Sequence, residues 1–158
     1  MNLFTNEIIE KIDNEYDKML QEKTDINAAK TNIESQLERE MKHMIKYTYQ
    51  PSRQSKSWIE TITGAVEEIE SEYKYNDKQI KKFINDNIDK IYKNAVKEAK
   101  KDFAKDNYKT IISEEVPQNW NYENLTNDKF IKDFLVNNVE SYNAKKYLNN
   151  KYDDIYLK

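Results

Sequence analysis

HMIKYTYQPSRQSKSW, residues 43–58, decides how the chain must fold. A helical pattern carrying Met41, Met44 and Ile45 runs into this stretch, Pro51 interrupts it, and a second apolar pattern begins at Trp58. Proline has no backbone N–H and pushes the residue before it out of the helical region, so the first helix should stop near Tyr49. Ser55 and Ser57 are good capping residues ahead of Trp58, Ile59, Ile62, Ala65, Val66 and Ile69, which predicts a further helix over about residues 57–73. The same stretch is basic: Lys42, Lys46, Arg53 and Lys56 occur with no acid between Glu40 and Glu60.

Upstream, Ile26, Ala29, Ile33, Leu37, Met41, Met44 and Ile45 form one helical stripe, starting at a cap on Thr24 or Asp25. Before it, Ile8, Ile9, Ile12, Tyr16, Met19 and Leu20 predict a separate helix from Asn6 to Gln21 with Thr5 as its cap. Downstream, the third helix carries Glu60, Glu67, Glu68, Glu70 and Glu72 as a solvated acidic face, and its Gly64 suits close helix packing. Asn76 and Asp77 should cap a fourth helix through Ile80, Phe83, Ile84, Ile88, Ile91, Tyr92, Ala95, Val96, Ala99 and Phe103. The period then fails, and Pro117, Asn119, Trp120, Asn121 and Tyr122 read as an irregular segment packed over the core. Thr126 or Asn127 caps a fifth helix with Phe130, Ile131, Phe134, Leu135 and Val139 inward, and residues 141–158 read as a frayed or marginally helical tail.

These patterns predict an all-α fold, roughly a five-helix antiparallel bundle with the proline corner between its second and third helices. Ile33, Leu37, Met41, Ile62, Ile69, Ile84, Ile88, Ile91 and Phe134 should form the core. The 158 residues suit one domain. Charged residues at 35% and a mean hydropathy of −1.07 would suit a disordered chain, but the helical recurrence of apolar residues argues for a folded one. One Gly and two Pro leave little from which to build hairpin turns. With no Cys, no charged-then-apolar leader and no long apolar run, a cytoplasmic protein without membrane attachment is expected.

His43, Lys46, Tyr49, Gln50, Pro51, Arg53, Ser55, Ser57 and Trp58, followed by Thr61 and Ile62, resemble at these spacings the central signature of the domain of unknown function 29 family of small bacterial proteins. Tyr92, Ala95 and Ala99, the segment Pro117 to Tyr122, and Asp128 with Phe130 extend the resemblance over about Thr24 to Phe130. The chain departs from the family pattern at Tyr47, where Trp is usual, and at Gln54, where Arg is common. The resemblance implies a small all-helical domain and no particular activity.

The motif residues are the candidate binding site. His43 lies between Lys42 and Lys46, whose charges repel a metal, and no second His or Cys completes a ligand set. A hydrogen-bonded structural role suits it best, with proton transfer or a phosphate contact beside Arg53 as the alternative. Arg53 suits an internal tether to an acid such as Glu60, or a forked phosphate contact. Ser55 and Ser57 read as caps, since no nucleophile elbow surrounds them. Glu67 with Glu70, or Asp86 with Asp89, could hold magnesium, but such pairs arise by chance on exposed helices of an acidic chain. The expected protein is therefore a non-enzymatic interaction module, binding an unknown protein partner or itself, with no catalytic residue, metal or cofactor. The alternative is a nucleic-acid-binding or metal-dependent nuclease-like protein with Lys46, Tyr49 and Arg53 on phosphates, although the net charge of −3 disfavours nucleic acid.

Overall fold

The computed structural model describes residues 3–71 and 77–158, the side chains at 3, 4 and 77 excepted. The fold is all-α. Among the described residues there are seven α-helices and one 3-10 turn: α1 Leu3–Tyr49, the turn Pro51–Arg53, α2 Lys56–Ser71, α3 Asp77–Asp86, α4 Ile88–Lys105, α5 Tyr122–Leu125, α6 Asp128–Asn137 and α7 Tyr142–Lys151. None is long and apolar enough to cross a membrane.

The first two expected helices are one. α1 runs for 47 residues, roughly 70 Å at 1.5 Å per residue, without a break at Gln21 to Asp25. Thr5, Thr24 and Asp25 are interior positions rather than caps. Thr24 donates its hydroxyl back to the Leu20 carbonyl (2.9 Å) and Gln21 donates to Asp25 (2.9 Å), both within a continuing helix. A capping residue caps only where the chain leaves the helix, and with neither Gly nor Pro in the first fifty residues nothing here makes it leave.

Pro51 does. Gln50 adopts φ −129°, ψ 64°, and Arg53 N–H donates to the Gln50 carbonyl (3.1 Å), closing the single 3-10 turn. Ser55 then caps α2, its Oγ accepting from Trp58 N–H at 3.3 Å. α2 returns antiparallel along α1, so that Asn32, Ile33 and Gln36 of α1 meet Glu68 and Ile69 of α2. Gly64, expected at a close helix contact, has open space where a side chain would project. The expected cap on Asn76 and the helix end at Tyr73 lie outside the described residues.

The fourth expected helix is two. Asn87 donates its backbone N–H to the Ile84 carbonyl (3.0 Å) and its side-chain amide to the Phe83 carbonyl (2.7 Å), which ends α3; the Asn87 carbonyl then accepts from Ile91 to start α4. An Asn side chain that competes for helix carbonyls makes this break. α3 and α4 run alongside α1 in the same direction: Lys30 lies over the Phe83 ring, and Lys42 and Lys46 reach Asp102.

The C-terminal region is more ordered than its composition predicts. Asn121, Asn127 and Ser141 cap α5, α6 and α7 by accepting from the backbone N–H groups of Asn124, Phe130 and Ala144. The tail expected to be frayed or marginally helical from residue 141 holds the helix α7, which buries Ala144 and Leu148; from within it Asn149 exchanges two hydrogen bonds with the Leu157 backbone. Ile33, Leu37, Met41, Ile62, Ile69, Ile84 and Ile91 are buried as expected, and Ile88 and Phe134 pack half-buried against them.

One part of α1 takes no share in this core. Every described side chain from Thr5 to Thr24 is exposed, including Ile8, Ile9, Ile12, Tyr16, Met19 and Leu20. The predicted apolar stripe is present on the helix but exposed, with Met19 near its end bordering a shallow cavity shared with Gln79 of α3; burial begins at Ala29.

Candidate functional site

The motif residues converge on the corner between α1 and α2, closed on the far side by the end of α4 and by the α6–α7 connection. Lys46 is buried, and Lys42 and Lys46 bring their ammonium groups to the same oxygen of Asp102, at 2.9 and 3.0 Å. Lys46 also lies 4.8 Å from the centre of the half-buried Trp58 ring, a cation–π contact. Desolvation acts to raise the Asp102 carboxyl, but the hydrogen bonds and charges of Lys42 and Lys46 outweigh it and hold the group below its ordinary value.

Arg53 is exposed and its acid partner is Asp106 (3.7 Å), not Glu60 as the sequence suggested; Glu60 is taken by Lys56 at 3.6 Å. All four cations of the stretch therefore meet a carboxylate, two of those acids coming from the end of α4. The local positive charge legible in the sequence is largely offset in three dimensions, four cations meeting three carboxylates.

The remaining motif residues serve as polar fasteners. His43 Nδ1–H donates to the Arg39 carbonyl (2.9 Å), which places the proton of the neutral ring on Nδ1. Desolvation lowers its pKa; the Arg39 carbonyl acts the other way, and Lys46, Lys42 and Arg39 lower it further. The Tyr49 carbonyl accepts from the Tyr108 hydroxyl, and the Tyr49 hydroxyl accepts from Ser113 N–H at 3.3 Å, so this residue ties the corner to the loop after α4. Ser57 is exposed, and its carbonyl accepts from Thr61 (2.9 Å). Gln50 is buried, and its Oε1 has no hydrogen-bond partner.

Two residues of the stretch outside the candidate binding set hold it most directly. Tyr47 is fully buried and donates its hydroxyl to the Leu135 carbonyl of α6 (2.9 Å); burial raises its phenol pKa. Gln54, also buried, donates to the carbonyls of Tyr47 (2.8 Å) and Asn138 (2.7 Å) and accepts from the N–H groups of Glu140 (2.8 Å) and Ser141 (3.1 Å). These are the positions at which the chain departs from the family pattern, and they touch each other. Nothing in the sequence pointed to Asp102, whose role depends on a contact 56 residues away.

Glu40 had a signal that went unread. It falls on the buried face of α1, between Leu37 and Met44, and it is completely buried with neither carboxylate oxygen hydrogen-bonded. Desolvation pushes its pKa well up, so the group favours its proton. A carboxyl whose folded pKa exceeds its unfolded value of 4.5 contributes most below that value, and the contribution is lost as pH rises through the folded pKa. Glu40→Met, which keeps the side-chain length and removes the polar atoms, should therefore stabilise the protein by about 2 kcal/mol near neutral pH and by less near pH 4. Urea unfolding of both proteins across this range checks it; a destabilised variant, or a gain that does not vary with pH, would count against a proton held at this site.

No group of three or more His, Asp or Glu residues that could hold a metal ion occurs among the described residues. Of the candidate magnesium pairs, Asp86 is bound by Lys82 at 2.9 Å. Glu70 is exposed, and its carboxyl is raised by desolvation and then by the charges of Asp128 and Glu67.

A small all-helical domain turning on a proline corner is the class that this geometry defines. The family model for Domain of unknown function DUF29 matches residues 2–135, and the chain belongs to that family. No curated protein and no solved structure matches it.

Proposed function

We propose that the protein is a non-enzymatic interaction module that docks a partner helix along the free N-terminal half of α1. The observation that carries this reading is the exposure of Ile8, Ile9, Ile12, Tyr16, Met19 and Leu20, between 44% and 66% each, on a helix that leaves the core behind. Ile9, Ile12, Tyr16 and Met19 follow the alternating three- and four-residue spacing of a coiled-coil seam. A contiguous apolar strip of this kind on an otherwise very polar surface marks an interaction site.

The charges beside the strip select its occupant. Between Thr5 and Thr24 six carboxylates, on Glu7, Glu10, Asp13, Glu15, Asp17 and Glu22, face three lysines, at 11, 18 and 23. A second copy would add carboxylates to carboxylates, whereas an amphipathic helix of another protein with Lys or Arg beside its apolar seam is complementary. In this reading the motif residues His43 to Trp58 hold the corner and so aim α1. The nucleic-acid alternative gains no support from a corner whose cations are each met by an acid.

The test uses two synthetic helices with the same Ile and Leu seam, one flanked by Lys and one by Glu, titrated against the full chain. Binding of the Lys-flanked helix, weakened by salt and lost in Ile12→Asp with Met19→Asp at an unchanged melting temperature, is expected. Equal binding of both helices, or of neither, overturns the proposal. So does a dimer of the wild type that the same double substitution dissolves, since the occupant would then be a second copy.

A further inference from the structure

Beside the corner, the loop after α4 leaves a cavity of about 400 Å³ against α1 and α4. Tyr49, Tyr92 and Trp120 line it, Tyr92 almost completely buried, and Glu115 and Pro117 line it from the loop. The Tyr92 and Trp120 rings pack edge to face, 5.9 Å apart at 80° to each other. The size is within the range of small-ligand sites.

The polar groups around the cavity are mostly committed, and those commitments hold its shape. Tyr92 donates its hydroxyl to the Ser113 carbonyl (2.6 Å) while Ser113 N–H donates to the Tyr49 hydroxyl, so both rings are pinned to one loop residue. Glu114, next to the cavity, is held by Lys100 at 2.6 Å. Glu115 is exposed, and no ion pair among the described residues engages it. No Lys or Arg lines the cavity.

We infer that this cavity binds a small organic ammonium ion, its charge against the Tyr49 and Trp120 side chains and the Glu115 carboxylate. Aromatic rings present a negative face, and a cation over them gains most where water is partly excluded. A lining with one carboxylate, the aromatic side chains of Tyr49 and Trp120 and no cation repels anions and gives a neutral ligand no electrostatic advantage. The site is separate from the free half of α1, and the two proposals stand or fall independently.

Choline is the probe, and 3,3-dimethyl-1-butanol, of the same shape without the charge, is its control. Titration of the full chain, followed by tryptophan fluorescence and by calorimetry, should show choline binding with the neutral analogue about tenfold weaker. Glu115→Gln, at an exposed loop position, should weaken choline about fivefold without shifting the melting temperature. Tyr49→Leu, which removes an aromatic ring from the lining, should lose most of the affinity. Equal binding of the charged and neutral probes would reduce the site to an apolar cavity and overturn the inference, as would failure of choline to bind, or binding untouched by both Glu115→Gln and Tyr49→Leu.

Discussion

Gln54→Ala lowers the stability of the protein by about 3 kcal/mol, the largest loss expected from any single polar substitution at the corner. The side chain is 3% exposed and joins three segments: the end of α1 through Tyr47, the end of α6 through Asn138, and the start of α7 through Glu140 and Ser141. Truncation leaves two carbonyls and two N–H groups to find other partners, and a stranded buried polar group costs more than the net value of the bond that it lost. Gln54→Glu should also destabilise, because it keeps the acceptor, loses the donor and introduces a charge. Denaturant unfolding at constant m-value is the measurement; a loss below about 1 kcal/mol would mean that water replaces the side chain and that the clasp is wet.

Asp102→Ala should cost about 2 kcal/mol, because it leaves the buried Lys46 with no carboxylate and brings two ammonium groups together unscreened. Lys46→Met in the Asp102→Ala background should recover part of that loss, since the stranded charge is then gone; a double-mutant cycle isolates the coupling. The pH dependence follows from the direction of the shift. A carboxyl whose folded pKa lies below its ordinary 3.8 contributes fully above that value, and the contribution is lost as pH falls through the folded pKa. Acid unfolding should therefore begin at higher pH in the Asp102→Ala protein than in the wild type. If the two acid transitions coincide, the pair is not what holds α1 against α4.

Glu40 acts in the opposite sense, weakening the fold as pH rises rather than as it falls. A buried acid without a hydrogen-bond partner within the main core makes the wild type less stable than its packing alone would allow.

Local chemistry made much of this protein legible from its residues alone. Pro51 stops a helix because its ring and missing N–H act on adjacent residues, and Ser55 and Asn127 cap helices through groups three residues away. The core stripe from Ile33 to Met44 follows from the helical period, and the motif around Pro51 led to the family. The merger of two expected helices at Gln21 to Asp25 and the split at Asn87 were not legible, because Thr, Asp and Asn each have a satisfied conformation both inside a helix and at its end. The site was harder still. Lys42 and Lys46 looked like a free basic patch until Asp102 arrived from α4, and Gln54 looked unremarkable until α6 and α7 closed on it. An amphipathic stripe states which face of a helix avoids water, but not what covers it: the same periodicity is buried from Ala29 onward and exposed from Ile8 to Leu20. Periodicity, caps and breaks act over one or two turns of chain and are written in it; pairing, burial and exposure depend on segments far apart in sequence, and only their packing decides them.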